Sequence, residues 1–274
     1  MPASASYGNY SGYQGASRTT TGKSTASHIL DPRLLAVSEQ LPDLFDHKRV
    51  LDIGCNDGRV GVDIALHFAP TLVQGIDKDP ILVSKAKSHL SFRWSRLGPN
   101  GEIDYFPASS LEKEGHVPYP TDDAEVLDYD GDGEAMDTTA DGEQEASIGH
   151  GGFPHNVKFI RADYHDWKTE LAQWDTITML SVVKWLHLER GDEGLKNVFL
   201  KTYEALSPGG YLVFEPQDWK SYGTAVKKNP DQKKQKDAVQ IRPEKFLELL
   251  EETGFEVVVR LEEGRKRPLY VLRK

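Results

Sequence analysis

The 274-residue sequence has a single cysteine and no hydrophobic run long enough to cross a membrane. Cys55 cannot form an internal disulfide, which favours a reducing compartment. A membrane-spanning helix needs roughly 18 or more consecutive apolar residues, and the Ser-, Tyr- and Gly-rich start lacks the apolar stretch of a secretory signal. We therefore expect a soluble, intracellular protein with no membrane partner.

The sequence also lacks a net positive charge: its formal net charge is -10. This acidity is local. Residues 112–145 contain 13 acidic residues and one lysine, a net charge of -12, so the rest of the chain carries about +2. Few large apolar residues accompany these charges, so the stretch cannot offset the entropy of ordering. We predict a disordered acidic insertion at about 95–152, and the net charge does not exclude a nucleic-acid partner.

The sequence does contain a repeating alternation of strand and helix patterns. Asp31 followed by Pro32 predicts a helix start. Strands are predicted at 49–53, 72–76, 157–161, 175–180 and 211–215, helices at 59–68, 80–90, 192–206 and 242–253, and a closing hairpin at 255–261 and 269–272. Such alternation indicates a parallel sheet with helices on both faces. The predicted fold is α/β, of the class I S-adenosylmethionine-dependent methyltransferase type: a seven-stranded, mainly parallel doubly wound sheet with a closing antiparallel hairpin.

The most informative segment is VLDIGCNDGRVGVDIAL at 50–66, in which a strand runs through a turn into a helix. Gly54 and Gly58 have the spacing Gly-x-x-x-Gly, which differs from the Gly-x-Gly-x-x-Gly of dinucleotide sites. S-adenosylmethionine has no pyrophosphate to bind at a helix N-terminus, so the pattern favours this cofactor at the carboxyl end of the strand. We expect Gly54, Cys55 and Asn56 to contact it, with Cys55 as a small turn residue rather than a reactive thiol.

Further candidate cofactor residues follow the next strands. Asp77 ends the second strand, where a carboxylate can accept hydrogen bonds from ribose hydroxyls, and Lys78 is assigned to the same site. Asp163 follows the third strand and is placed to bond the adenine amino group, with Tyr164 flanking the ring. Leu180 ends the fourth strand, where the methyl group is expected. Each carboxylate alone is more typical of a helix cap or a solvated strand end, but their shared position favours a cofactor site.

Four separated motifs carry a resemblance to a known family. They are YGNY at 7–10 with Arg18, LDIGCN at 51–56, KWLHL at 184–188 with GDEGL at 191–195, and EPQ at 215–217 with Trp219 and SYG at 221–223. In this order they resemble the bicoid-interacting-protein-three family of RNA 5′-phosphate methyltransferases. The resemblance implies that residues 1–27 close over the cofactor through Tyr7 and Arg18, and that residues 28–274 form the methyltransferase domain. It also implies a small noncoding RNA substrate, methylated on the γ-phosphate of its 5′ triphosphate, with Asn9 and Tyr10 as RNA contacts.

The later motifs contain residue types that suit a phosphate acceptor. A phosphate oxygen is already ionised at neutral pH, so methyl transfer needs alignment more than a general base. Lys184, His187 and Gln217 are the candidate catalytic residues, since the first two can grip a polyanion and the amide can donate a hydrogen bond. Without the resemblance, Lys184 and His187 are better explained as helix caps or solvated side chains. No metal site is predicted.

Aromatic and basic residues supply candidate RNA contacts. Trp185, Trp219 and Tyr222 can stack on single-stranded bases at roughly 1–3 kcal/mol each, with core packing as an equal alternative. Residues 220–245 contain eight basic and three acidic residues. Lys227 and Lys228 from this stretch, together with Lys184, are expected to contact RNA, and the alternative for the stretch is a solvated loop or a nuclear import signal.

Three functions stay open from the sequence. The favoured one is methylation of an RNA 5′ γ-phosphate, the second is methylation of a 5′ monophosphate or another acceptor, and the third is an RNA-binding scaffold with secondary catalysis. The fold alone does not choose the acceptor. Ribonucleoprotein proteins are the expected protein partners, and the expected location is the nucleus, with the cytoplasm as an addition.

Overall fold

A computed structural model describes residues 30–117, 152–228 and 230–274. The predicted contacts of Tyr7, Asn9, Tyr10 and Arg18 lie outside these residues, as does the rest of segment 1–27. Within the three described ranges, no helix combines the length and apolar character needed to cross a lipid bilayer.

The described residues form eight α-helices and seven β-strands. In chain order these are α1 (Pro32–Gln40), β1 (Arg49–Ile53), α2 (Arg59–His67), β2 (Leu72–Asp77), α3 (Pro80–Trp94), α4 (Ala108–Glu114), β3 (Val157–Arg161), β4 (Trp174–Leu180), α5 (Val183–Ala205), β5 (Leu206–Glu215), α6 (Trp219–Ala225), α7 (Pro230–Ala238), α8 (Phe246–Thr253), β6 (Glu256–Leu261) and β7 (Leu269–Arg273). Short 3₁₀ turns lie at Pro42–Leu44, Val226–Lys228 and Pro243–Lys245.

The seven strands form one sheet in the order β3-β2-β1-β4-β5-β7-β6. Strands β1 to β5 pair in parallel, and β7 is antiparallel to both of its neighbours. The chain moves outward from β1 to β3 and then returns to β4 on the other side of β1. The strand order therefore switches between β1 and β4, and the carboxyl ends of these strands form the edge where such sheets bind ligands. The predicted seven-stranded, mainly parallel sheet with its closing hairpin is confirmed.

Consecutive residues of the central strands pack on opposite faces of the sheet. Val50 and Val73 belong to a core shared with α1, α2 and α3, whereas Leu51 and Ile177 belong to a core shared with α5, α6 and α8. Burial on both faces explains why these strands are almost continuously apolar. The two cores hold the strand ends in a fixed relative position.

Helix α1 begins at the predicted cap. Asp31 accepts a hydrogen bond from the backbone N–H of Arg33 at 2.9 Å, and Pro32 occupies the first helical position. Asp79 and Pro80 start α3 in the same way. An N-cap carboxylate satisfies an N–H that has no partner inside the helix, and proline has no N–H to lose there.

Two predicted boundaries around α5 are wrong. Helix α5 begins at Val183 rather than at 192, and Gly191 interrupts it with a φ of 67° that favours glycine. Strand β5 begins at Leu206 rather than at 211, because Leu206 already pairs with Trp174. The first half of α5 therefore follows β4 directly and starts at the ligand-binding edge.

The first part of the predicted disordered insertion is folded. Residues 95–117 include α4, and Arg96 pairs with Asp104 at 2.8 Å and donates to the carbonyl of Phe106 at 2.9 Å. Leu97 is buried beside them. The predicted start of the insertion at about 95 is therefore wrong, because the chain after α3 continues to pack on the domain. Residues 118–151 lie outside the described part of the chain.

A buried ion pair joins α2 to α3 and generates a stability prediction. Arg93 and Asp63 lie 3.1 Å apart with both side chains 1% exposed, and Asp63 also accepts the N–H of Asp31 at 3.2 Å. Removing the closer partner of a buried charge is costly, although Arg93 also lies 3.7 Å from Asp104. We expect Asp63→Asn to lower the free energy of unfolding by about 3 kcal/mol, measured by urea denaturation.

The matched control for this prediction is Asp237→Asn. Asp237 is 62% exposed in its ion pair with Lys236, and exposed pairs contribute only about 0–1 kcal/mol. Equal losses of stability in the two variants would contradict the importance assigned to the buried pair.

Candidate active site

The turn after β1 runs close to its neighbours. The backbone N–H groups of Gly54 and Cys55 both donate to the carbonyl of Ile76, at 2.9 and 3.0 Å. Gly54 has a φ of +72°, and a Cβ at this position would lie 2.4 Å from Cγ2 of Val182, the residue before α5. Sterics and backbone conformation both exclude a side chain here. The turn after β1 and the segment after β4 are therefore in direct contact.

Asp77 at the end of β2 fixes this turn to the next one. Its Oδ2 accepts the N–H of Asn56 at 3.0 Å, and its Oδ1 accepts the N–H of Asp79 at 2.9 Å. Burial raises the pKa of Asp77, and these two hydrogen bonds oppose the rise. The carboxylate is only partly buried, and two carboxylate oxygens can accept about four hydrogen bonds. Asp77 thus retains capacity for a ligand at the position that the sequence predicts.

A buried thiol and a buried carboxylate lie at the same turn. Cys55 is buried, and burial raises the pKa of its thiol, with the charges of Asp52 and Asp77 adding to the rise. Asp52 accepts a hydrogen bond from the Thr178 hydroxyl at 2.6 Å, while its Oδ2 has no hydrogen-bond partner in the described part of the chain. Burial raises the pKa of Asp52 to about 6. Cys55 is thus an uncharged turn residue, and Asp52 is a buried carboxylate that the predicted site did not include.

The ends of β2 and β3 border an open cavity of about 460 Å³. Lys78, Arg161, Ala162 and Asp163 line it. Lys78 pairs with Asp163 at 3.1 Å and also with Glu189 of α5, so it bridges two carboxylates. Asp163 also accepts the N–H of His165 at 3.0 Å. The predicted residues Lys78 and Asp163 are therefore brought together, and Glu189 joins them from a helix that sequence inspection did not connect to this site.

Tyr164 does not line this cavity. It is 3% exposed, and its hydroxyl forms a hydrogen bond of 3.0 Å with the Thr202 hydroxyl. The ammonium group of Lys201 lies 4.7 Å from the centroid of its ring and donates to the carbonyl of Tyr164 at 2.5 Å. The prediction that Tyr164 flanks a bound adenine is wrong, because its ring fills the core between the loop after β3 and α5.

The exit from β4 has a strained backbone held by polar contacts. Leu180 is buried, and Ser181 has a φ of 61°, which is uncommon for a residue with a side chain. The N–H of Ser181 donates to the carbonyl of Glu215 at 3.1 Å, and its hydroxyl donates to the Glu215 carboxylate. Arg267, from the segment before β7, donates to the same hydroxyl at 2.7 Å. The ends of β4 and β5 and the closing hairpin thus meet at Ser181.

Gln217 is a brace rather than an exposed donor. It is 2% exposed, its Oε1 accepts the N–H of Lys184 at 3.1 Å, and its Nε2 donates to the carbonyl of Ser181. Both ends of the amide therefore bind backbone groups, so the predicted donor group of Gln217 is engaged by the carbonyl of Ser181. Its effect is to fix the start of α5.

Lys184 lies at this start of α5 as a nearly buried cation. The residue is 2% exposed, and its ammonium group lies 4.8 Å from the centroid of the partly buried Trp185 ring. Burial lowers the pKa of Lys184 to about 8, and the charge of Arg267 contributes to the decrease, whereas Asp218 opposes it. Lys184 and Arg267 are therefore two cations near the exit from β4, close enough for the charge of Arg267 to affect the pKa of Lys184.

His187 lies in the core. It is fully buried, with Nε2 2.8 Å from Asp192 Oδ1 and Nδ1 3.2 Å from the Tyr222 hydroxyl. Asp192 also accepts the N–H groups of Gln240 and Ile241, at 2.7 and 3.2 Å. Burial lowers the pKa of His187. The prediction that His187 contacts the substrate is wrong, because its buried side chain bonds to Asp192. Through Asp192 it connects the interrupted part of α5 to the chain after α7.

The predicted aromatic RNA contacts differ in their surroundings. Tyr222 is fully buried, so its prediction as a stacking residue is wrong and the core alternative holds. Trp219 is partly buried, with the Arg242 guanidinium carbon 3.9 Å and the Lys236 ammonium group 5.0 Å from its ring centroid. Those cations already occupy positions over the Trp219 ring. Trp185 keeps partial exposure beside Lys184.

The basic stretch 220–245 is largely helical rather than a simple loop. It contains most of α6, the turn Val226–Lys228 and α7. Lys227 is exposed, whereas the side chain of Lys228 lies outside the described atoms. This stretch therefore presents basic side chains on a folded surface beside Trp219.

Arg267 is the main residue that sequence inspection missed. A usable signal was the predicted closing hairpin, since β7 is antiparallel to β5 and its first residues must lie at the carboxyl edge of the parallel strands. Glu189 had no comparable signal, because its position depends on where α5 starts.

Solved methyltransferases share this fold. An S-adenosylmethionine-dependent methyltransferase from Mesorhizobium loti superposes with a TM-score of 0.51 and 14% identity, covering 89% of this chain and 98% of its own. Another from Methanosarcina mazei has a TM-score of 0.50 and 13% identity, covering 85% and 95%. The chain has the class I S-adenosylmethionine-dependent methyltransferase fold.

Sequence relatives narrow the class to a family. The family model for Bicoid-interacting protein 3 (Bin3) matches residues 174–274. The "Probable RNA methyltransferase" of Arabidopsis thaliana is 31% identical over 92% of this chain and 72% of its own length. The 7SK snRNA methylphosphate capping enzyme of Mus musculus is 31% identical over 98% of this chain, which spans 40% of the length of that mouse protein. The RNA 5′-monophosphate methyltransferase of Mus musculus is 34% identical over 28% of this chain. The chain belongs to the Bin3 family.

The close approach of Gly54 to Val182 generates a prediction with an internal control. Gly54→Ala combines a positive φ with a Cβ clash, whereas Gly209→Ala has a φ of +77° and no atom within 4 Å of the added Cβ. A positive φ costs roughly 1–2 kcal/mol and overpacking a further 1–3 kcal/mol or so. We expect Gly54→Ala to lose more unfolding free energy in urea than Gly209→Ala. Equal losses would show that the contact between the two turns is loose.

Proposed function

We propose that this protein transfers the methyl group of S-adenosylmethionine to an oxygen of the 5′ γ-phosphate of a small noncoding RNA. One observation carries the proposal: two cations, Lys184 and Arg267, lie near the exit from β4. Val182, between Ser181 and α5, contacts the glycine turn after β1 directly. A donor site and an anion site therefore share one edge of the sheet.

The residues at the ends of β1, β2 and β3 fit the methyl donor. The Gly54 turn leaves no side chain at the strand end, Asp77 would accept hydrogen bonds from ribose hydroxyls, and Asp163 would accept one from the adenine amino group. When bound, S-adenosylmethionine supplies an electrophilic methyl group on a positively charged sulfur. The buried Asp52 carboxylate adds negative charge behind the turn, which favours a cationic ligand.

On the acceptor side, the protein has to hold and orient a phosphate. The attacking oxygen is already ionised at neutral pH, so no side chain has to remove a proton from it. Its bond to the methyl carbon forms as the carbon–sulfur bond breaks, and the electron pair of that bond stays on sulfur. Lys184 supplies a positive charge that Trp185 partly shields from water, and Gln217 fixes the backbone from which this side chain starts. Alignment is therefore the main contribution of these residues.

The RNA class rests on the relatives and on the basic surface. The mouse relative that aligns with 98% of this chain is named for methylphosphate capping of 7SK snRNA. Lys227, Lys233 and Lys234 are exposed on the basic stretch and suit contacts to an RNA backbone. A nuclear location and ribonucleoprotein partners are part of this proposal, since they follow from the class of RNA.

The first test compares RNA ends. One RNA sequence is prepared with a 5′ triphosphate, monophosphate or hydroxyl and incubated with the protein and methyl-labelled S-adenosylmethionine. We expect label on the triphosphate RNA, located on its terminal phosphate after nuclease digestion. Asp77→Ala should abolish the transfer by weakening donor binding, whereas Asp166→Ala, at a side chain that is 68% exposed, should retain it.

Preferential labelling of the monophosphate RNA would instead support the activity named for the relative that matches 28% of this chain. Equal label on all three ends would rule out a terminal phosphate as the acceptor.

The lowered pKa of Lys184 generates a second test. The side chain is charged below its pKa of about 8 and neutral above it, so the grip on phosphate is present at low pH and lost as the pH rises. We expect kcat/KM for triphosphate RNA to fall between about pH 7 and pH 9, since this ratio reports groups of the free enzyme. Lys184→Met, of similar volume, should be slow and show no such fall.

The control is the affinity for S-adenosylmethionine, which calorimetry should find unchanged across the same range. A wild-type kcat/KM that stays level to pH 9, or a Lys184→Met variant with the same fall, would exclude Lys184 as the phosphate-holding cation.

A further inference from the structure

The hairpin between β6 and β7 delivers Arg267 to the proposed acceptor site. Tyr270 of β7 pairs with Phe214 of β5, and the two strands are antiparallel. The segment before β7 therefore lies beside Glu215, the last residue of β5. Arg267 reaches the carboxyl edge of the parallel strands from a part of the chain remote from all other residues of the site.

Two polar contacts orient the Arg267 guanidinium. Its NH1 donates to the Ser181 hydroxyl at 2.7 Å and lies 3.6 Å from Oε1 of Glu215. The side chain is 21% exposed, so it is oriented by the protein and still reaches solvent. A guanidinium has five N–H donors in a planar fork, which suits recognition of a phosphate by two hydrogen bonds.

The charges around Arg267 favour an anionic ligand. Glu215 also receives a guanidinium nitrogen of Arg33 at 3.3 Å, and Arg33 is itself paired with Asp31 at 2.7 Å, so these two guanidinium groups face two carboxylates. Lys184 is a nearly buried cation of the same region, and the charge of Arg267 disfavours its protonated form. An anion between two like charges removes their mutual repulsion.

We propose that Arg267 is a phosphate-binding residue, which holds the non-reacting oxygens of the terminal phosphate opposite Lys184. This inference rests on the proposed function and adds to it a named residue of the acceptor site. Ser181 and Glu215 act as positioning residues, because they orient the guanidinium through NH1. The strained backbone of Ser181 is thereby explained as the conformation that presents its hydroxyl to both Glu215 and Arg267.

The test uses inorganic tripolyphosphate as the probe, together with triphosphate RNA. Wild type, Arg267→Gln, Arg267→Lys and the control Arg260→Gln are compared. Arg260 lies on the adjacent β6, 3.6 Å from Glu251, and is 52% exposed. Calorimetry measures the affinities for tripolyphosphate and for S-adenosylmethionine, thermal melting checks the fold, and initial rates give KM and kcat for the RNA.

We expect Arg267→Gln to weaken tripolyphosphate binding about 10- to 100-fold, the range for a lost hydrogen bond to a charged group, and to raise KM for RNA in parallel. Its affinity for S-adenosylmethionine should stay within about twofold of wild type, because the donor residues are elsewhere. Arg267→Lys should be intermediate, since it keeps the charge and loses the fork. Arg260→Gln should match wild type.

Two results would overturn the proposal. One is tripolyphosphate binding and KM in Arg267→Gln equal to those of Arg260→Gln. The other is a parallel loss of melting temperature, donor affinity and phosphate affinity in both Arg267 variants, which would make Arg267 a structural brace. A wild type that binds tripolyphosphate through Arg267 but methylates none of the RNA ends would contradict the proposed function alone.

Discussion

The buried carboxylate of Glu215, at the end of β5, is the constraint on which the acceptor side depends. It accepts the hydroxyl of Ser181, and it lies 3.3 Å from NH1 of Arg33 and 3.6 Å from NH1 of Arg267. These partners come from the exit of β4, from α1 and from the closing hairpin. A buried carboxylate costs several kcal/mol unless it is paired and hydrogen-bonded, so Glu215 favours the fold in which all three segments meet. The edge of the sheet is thereby given a fixed arrangement of cations.

Helix α5 connects that arrangement to the donor side. Its first residues include Lys184 at the proposed acceptor site, and Glu189 pairs with Lys78 beside Asp163 at the cavity. Its second half carries Lys201, which donates to carbonyl groups of the loop after β3. The same helix therefore contacts the residues proposed for the phosphate and those proposed for the adenine. A fixed distance between donor and acceptor is what methyl transfer to an ionised oxygen requires of a protein.

The fold and the shared position of the candidate donor residues could be predicted, because they depend on local patterns and on topology. Apolar strands bounded by turns identified the sheet, and parallel strands place Gly54, Asp77 and Asp163 on one edge whatever the details of packing. The directions of single side chains on α5 could not be predicted in this way. His187 and Lys184 are neighbours in one short motif, yet the first is buried against Tyr222 and the second lies at the sheet edge.

The roles of the aromatic residues could not be predicted either, because a tyrosine can pack in a core or contact a ligand. Tyr164 and Tyr222 both lie in the core. The position of Arg267 depends on the register of a hairpin that the sequence located only approximately.

The most direct test of the proposed site is a crystal structure with S-adenosylhomocysteine and a short 5′-triphosphate RNA. We predict that the ribose lies at Asp77 and the terminal phosphate between Lys184 and Arg267, with one phosphate oxygen facing the sulfur. A terminal phosphate bound away from Ser181, with both cations outside its contact distance, would contradict this prediction.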